Sequence, residues 1–465
     1  MTKRRESQEL EQDPVLAKKF SHLKIDTRCD IPAIQNFALS ILETRDLAQY
    51  VRRVTLTFSH WASYPAEAFP YTATTDEERK KEKTFKAAIA EQKWEEPDAT
   101  ELLKRLMTTK SPGFNKRSSH QLLPDAVVAL LLPMLPNVEH WVVGEIDRPR
   151  FVGKAIQRAK DGVFGSISVT RLDIRPRAPY SPAAWDRISW PAFAIYANLP
   201  LLQIMSSKGV GGIGIEDGGG YEVIPSKVSA VREIILKHCE ISGTCVSNII
   251  NFSTGLEAFS YSFGGRRGDG GAVGWMSPKV AKALTLHRLT MRRMDIDVEN
   301  QSHGSLQQEM DHLIEEVREE EEEDEAAGKD PNGEYSDTET LNSEDSRKKV
   351  QKLEEFMKSE PYFPNLTHLR IGIKLALKFA KLSGKTLVEW FPATLEELEI
   401  VGYRHTETGE MAELIQRREE LLPKLKVLRG IEEYIESGQQ LRREDDYVAS
   451  AGSDDEVVED DSDSD

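Results

Sequence analysis

The chain has 465 residues, three cysteines and a formal net charge of −17. Three cysteines in so long a chain make no disulfide framework, no apolar run approaches the roughly 18 residues of a membrane helix, and the opening MTKRRESQELEQDP lacks the apolar segment of a secretory signal. A reducing intracellular compartment, cytoplasm or nucleus, is expected. The charge is uneven. Glu309 to Asp345 holds 17 acidic and 2 basic residues, and Glu444 to Asp465 holds 11 acidic and none basic. Taking that combined −26 out of −17 leaves the rest of the chain at +9.

In chain order, Ile34, Phe37, Leu39, Ile41 and Leu42 mark a short amphipathic helix that begins just after Asp30 and Pro32. Val51-x-x-Val54-x-Leu56 reads as a strand, with Thr55 and Thr57 alternating away from it. Asp76 to Met107, rich in Glu, Lys and Ala, reads as one or two inserted amphipathic helices; Ser111 to His120 reads as a polar loop, and Leu122 to Leu135 as an apolar helix.

The strand phase then returns. Val138-x-x-Trp141-x-Val143, Val169-x-x-Leu172-x-Ile174, Leu199-x-x-Leu202-x-Ile204, Val231-x-x-Ile234-x-Leu236, Leu256-x-x-Phe259-x-Tyr261 and Met291-x-x-Met294-x-Ile296 begin 31, 30, 32, 25 and 35 residues apart. Leu366-x-x-Leu369-x-Ile371, Leu395-x-x-Leu398-x-Ile400 and a weaker Leu425-x-x-Leu428 complete the series. The 75 residues from Met291 to Leu366 have the length of about two repeats, with an acidic run inside. Helix-compatible pieces lie between the strands at Phe151–Lys160, Trp190–Ala197, Cys245–Phe252, Pro278–Leu284 and Leu375–Lys381.

A strand plus a helix every thirty residues or so, in the phase L-x-x-L-x-L-x-x-N/C-x-L, predicts an α/β leucine-rich-repeat solenoid, a curved parallel sheet with outer helices. The best unit, VREIILKHCEI, puts Cys239 in the buried N/C slot. The expected organisation is a polar segment over 1–24, and a solenoid over 25–438 with a helical insert at 76–107 and a disordered acidic insert at 303–348. A disordered acidic tail follows over 439–465.

Three stretches, GLEAFSYSFGGR (Gly255 to Arg266), SPKVAKAL (Ser277 to Leu284) and TMRRMDIDV (Thr290 to Val298), resemble the repeat array of fungal F-box and leucine-rich-repeat proteins. FPATLEELEIVGY, LLPKLKVLRGIEEYIESG and, at the front, DIPAIQNFALSILETRDLAQYVRRVTL are similar to the end of that array and to the linker into it. The resemblance implies a substrate receptor of a cullin ubiquitin ligase, in which an F-box precedes the linker. Here the segment before the linker is too short and polar to make that helical trio, so ligase components are expected as partners only if an F-box is restored.

Catalytic motifs are missing. Gly209-Val-Gly211-Gly-Ile-Gly214 satisfies G-x-G-x-x-G, but Ile215 to Gly220 cannot start the helix a dinucleotide site needs. The glycine cluster Gly264 to Gly274 reads as a loop. His238, Cys239 and Cys245 have no second ligand pair for a structural zinc. No enzyme activity, cofactor or metal is expected. Ser336, Ser343, Ser453 and Ser462 stand beside carboxylates and suit an acid-directed kinase.

Residues alternating with the buried L positions should line the concave sheet and hold a protein partner. They are Arg53, Arg171, Asp173, Arg175, Glu233, Lys237, Arg293, Asp295 and Arg370, with Thr55, His140, Ser260, Ser262, Asp297, His368, Glu397 and Glu399 beside them. Early strands carry more Arg and late ones more Glu, which fits a protein better than nucleic acid. The main expectation is a non-enzymatic interaction scaffold. The alternative is a nuclear acidic repeat protein that shields basic partners such as histones.

Overall fold

The computed structural model describes residues 19–28, 31–59, 73–107, 122–144, 146, 149–163, 167–175, 190–208, 229–237, 239, 241, 243–262, 278–298, 363–402 and 408–431. The loop at 111–120, the glycine runs at 209–214 and 264–274, the acidic insert, the acidic tail, the four serines, Cys29 and His238 lie outside the described residues.

Eleven strands make one open sheet, parallel throughout, in which spatial order follows chain order. They are β1 (His22–Arg28), β2 (Arg53–Ser59), β3 (His140–Gly144), β4 (Arg171–Arg175), β5 (Ile204–Lys208), β6 (Glu233–Lys237), β7 (Ala258–Ser262), β8 (Arg293–Asp297), β9 (His368–Gly372), β10 (Glu397–Val401) and β11 (Val427–Arg429). The helices between them are α1 (Ile31–Glu43), α2 (Arg45–Ala48), α3 (Asp76–Glu91), α4 (Glu96–Leu106), α5 (Leu122–Leu131), α6 (Arg150–Lys160), α7 (Trp190–Ala197), α8 (Gly243–Asn251), α9 (Pro278–Thr285), α10 (Ile373–Leu382), α11 (Leu387–Trp390) and α12 (Thr408–Leu421).

Parallel neighbours need a crossover, and a helix supplies it by covering one sheet face. In β6, Ile234 and Leu236 are buried while Glu233, Ile235 and Lys237 are only half-buried. The inward residues of every repeat join helix residues such as Val152 and Ile156 of α6, Val246 and Ile249 of α8, and Ala376 and Phe379 of α10 in one continuous core. Among the described residues the other face of the sheet, the open face, carries no helix layer.

Each step of the sheet begins in the same way. Two successive backbone N–H groups converge on one carbonyl of the preceding repeat: those of Arg171 and Thr170 on Glu139, those of Ile204 and Gln203 on Thr170, those of Glu233 and Arg232 on Gln203, and so on through Val427 and Lys426 on Glu396. The pattern holds where the chain makes long excursions, between Arg52 and His140 and between Arg292 and His368. β8 therefore pairs directly with β9, Met294 opposite Leu369. The gap of about two repeat lengths is thereby corrected to a single step of the sheet, from β8 to β9.

Two further corrections concern phase. The sheet starts at His22, inside the segment read as polar: Leu23 lies opposite Val54 and Ile25 opposite Leu56. In β5 the paired residue is Met205, opposite Leu172 and Ile234, so the unit is Leu202-x-x-Met205-x-Ser207 rather than the one beginning at Leu199. Leu199 belongs to the preceding turn, where its carbonyl accepts from the Leu202 N–H. Ser207 fills the third inward slot because its hydroxyl donates to the Ile174 carbonyl at 2.9 Å, which satisfies a buried polar group. That serine disguised the repeat.

The helical insert is packed into the body. The Gln35 amide of α1 donates to the Leu106 carbonyl at 2.7 Å, and that of Gln92 to the Leu130 carbonyl at 2.8 Å. Lys154 of α6 holds Asp98 of α4 at 2.6 Å. Cys239 is fully buried, with its thiol 3.3 Å from the Lys237 carbonyl.

At the far end Gly430 has φ +81° and lies so near β10 that a Cβ would sit 1.8 Å from the Ile400 carbonyl oxygen. Gly430→Ala should detach β11, accelerate amide exchange at Val427 to Arg429 and cost about 2 kcal/mol. Unchanged exchange there would refute the close approach.

Candidate interaction surface

On the open face the in-register strands set side chains at three levels. The first includes Arg53, His140, Arg171, Glu233, Arg293 and His368. The middle includes Asp173, Ser206, Ser260, Asp295, Arg370 and Glu399. The third includes Arg175, Lys208, Lys237 and Asp297. Neighbours along a level are about 4.8 Å apart and levels are about 6.7 Å apart. All nine residues predicted to line this face stand on it.

They fall into two networks. Over β3 to β5, Asp173 accepts from the Ser206 hydroxyl at 2.6 Å, the Arg171 Nε at 3.1 Å and the His140 Nε2 at 2.7 Å. Burial raises the Asp173 pKa, but the hydrogen bonds from Ser206 and His140 outweigh it and hold the carboxyl below its ordinary value. Burial pushes His140 down despite Asp173. A neutral imidazole therefore faces an ionised carboxylate that can only accept, so Nε2 carries the proton. Arg53 stands beside His140, its Nε buried without a hydrogen-bond partner among the described residues.

Over β6 to β10 the hub is Asp295. Arg370 Nη1 reaches its Oδ1 at 2.8 Å, Lys237 and the Ser260 hydroxyl take Oδ2, and Arg370 continues to Glu399 at 2.7 Å and Asp297 at 3.6 Å. Burial again raises the Asp295 carboxyl, and the Lys237 and Arg370 charges override it downward. Arg293 holds Glu233 at 3.0 Å. Both the Lys237–Asp295 and Glu233–Arg293 pairs run from β6 to β8 and pass over β7, whose open-face residues Ala258, Ser260 and Ser262 are small. The result is an open cleft of about 310 Å³ lined by these ion pairs.

The chain was compared with protein-family models and with curated proteins. It matches none of them.

The structure changes which of the predicted residues can reach a partner. Glu233, Lys237, Arg293, Asp295 and Arg370 engage each other, whereas exposed Arg175 has no ion-pair partner among the described residues. Sequence reasoning missed Ser206 and Lys208, both on β5, because the wrong phase turned that strand over. A serine at the third inward position was the missed signal. Among the described residues, no helix is long and apolar enough to cross a membrane.

Proposed function

We propose that this chain is a leucine-rich-repeat scaffold, non-enzymatic, that takes a protein partner on its open face. The observation that carries the reading is the eleven-stranded parallel ladder, which repeats one hydrogen-bonding step ten times and exposes three levels of polar side chains. Mutual ion pairing holds those side chains in set positions, and such a mixed-charge surface favours a partner of complementary pattern over a small substrate. The resemblance to F-box and leucine-rich-repeat proteins supports the narrower version, a substrate receptor.

A pulldown from lysate with mass-spectrometric identification tests the reading. Arg171→Glu combined with Arg175→Glu should lower recovery of the specific partner about tenfold, two reversed charges acting on a rim where complementarity governs association. Unchanged recovery would overturn the assignment to this face. Co-purification of a cullin adaptor separates the receptor version from a plain scaffold.

A further inference from the structure

Arg175 and Lys208 end β4 and β5, each one residue beyond the paired Ile174 and Ser207, and Lys237 lies opposite Lys208 on β6, all at the third level of the open face. Three cations thus fall within about 10 Å. Arg175 and Lys208 are exposed, and among the described residues neither has an ion-pair partner. The contrast with Arg293 and Arg370 is direct, since a carboxylate holds each of those. Asp173, the nearest anion along β4, is already occupied by Arg171, His140 and Ser206.

We propose that this cationic patch is occupied by the chain's own acidic segment, Glu444 to Asp465, which screens it from an acidic partner. The segment lies outside the described residues; its composition and its point of attachment carry the argument. It holds 11 acidic residues and no basic one. The chain leaves β11 at the C-terminal end of that strand, the end at which Arg175 and Lys208 sit in the parallel sheet. Twelve residues separate Ile431 from Glu444, a reach of up to about 40 Å. β5 lies six strands from β11, about 29 Å away, so the segment arrives with slack.

Single exposed ion pairs are weak and salt-screened, but a short tether raises the local concentration to about millimolar. The other acidic segment, at 309–345, must return to the opposite end of β9, and it carries Arg318 and Lys329. The tail has neither restriction, because no described element follows β11.

The inference concerns the face assigned above to a protein partner and rests on that reading only for the function of the screening. Its test uses no partner, so its failure is distinct from a failed pulldown. Zero-length carbodiimide coupling of the full chain, mapped by mass spectrometry, should join Lys208 to carboxylates within 444–465, and the product should vanish at about 0.5 M salt. No coupling at Lys208, or coupling to 309–345 instead, overturns the proposal. A labelled synthetic peptide of residues 444–465 supplies the second measurement. It should bind a full-length variant, in which the eleven acids are replaced by Asn and Gln, about tenfold more tightly than the intact chain. Adding Arg175→Glu and Lys208→Glu should abolish that binding. Equal affinity for the intact and neutralised chains, or binding that survives the charge reversal, also overturns it.

Discussion

Asp125→Ala should destabilise the protein by about 3 kcal/mol. Asp125 sits on α5, is fully buried, and turns its carboxylate onto the start of α6: Oδ2 accepts from the Phe151 N–H at 2.8 Å and Oδ1 from the Val152 N–H at 2.9 Å. Pro149, the residue before α6, offers no side-chain cap. A carboxylate from another helix therefore satisfies the orphan donors. Alanine leaves both N–H groups buried and unpaired, and urea unfolding reads the loss.

The same residue makes stability depend on pH, and the sign is unusual for a carboxylate. Burial, opposed by the α6 N–H groups, raises its pKa to about 7. The folded state thus binds the proton more tightly than the unfolded chain, where an aspartate titrates near 4, roughly the ordinary value. This contribution is present in full below that unfolded value and is lost as pH rises towards 7, with a slope of up to about 1.4 kcal/mol per pH unit. Asp125→Asn cannot titrate. Between pH 5 and pH 8 the native chain should lose more stability than Asp125→Asn, and parallel pH profiles for the two would refute the assignment. The neighbouring Tyr196 hydroxyl is buried and its pKa is pushed upward, so it stays neutral across that window. Arg150, also adjacent, is exposed.

Asp295→Ala is expected to cost about 2 kcal/mol, because it leaves Lys237 and Arg370 half-buried and facing a vanished partner. Lys237 side-chain exposure is 33% and that of Arg370 is 23%, against 63% for Arg232 in its pair with Glu257. Glu257→Ala, a solvent-screened control, should cost under about 0.5 kcal/mol. An Asp295→Ala loss no larger than the control's would remove the hub from the stability argument. The pH sense is opposite to that of Asp125. The folded pKa of Asp295 is depressed, so its contribution is present above the unfolded value and fades as pH falls through the folded one. The two carboxylates should therefore separate in one titration series, Asp295 at the acid end and Asp125 towards neutrality.

Much of the fold is legible in the residues themselves. Where Val138, Trp141 and Val143 or Leu366, Leu369 and Ile371 repeat the phase, strands form with those residues inward, since a period of two with inward apolar groups has one way to bury them. Legibility stops where a polar residue fills an inward slot. Ser207 is satisfied by the Ile174 carbonyl on the adjacent strand, a partner 33 positions away in the chain. Phe20 and Leu23 stand among charged residues, which is why the segment up to residue 24 reads as polar. The capping of α6 by Asp125 was not legible at all, because an aspartate near the start of an apolar helix reads as that helix's own first-turn charge.

The sequence by itself determined the alternation of strands and helices, the outward residues of most strands, and the separation of a basic body from acidic segments. Those are local properties, set by periodicity and composition. Only the tertiary structure decided which repeats are neighbours across the long excursions, and therefore which charges meet. Lys237 finds Asp295 two strands away, and Arg370 bridges Asp295 to Glu399. Arg175 and Lys208 become neighbours because β4 and β5 pair in register up to Ile174 and Ser207, the residues just before them. Ion pairing falls off within a few ångströms, so it is decided by register across the sheet, a quantity no single strand contains.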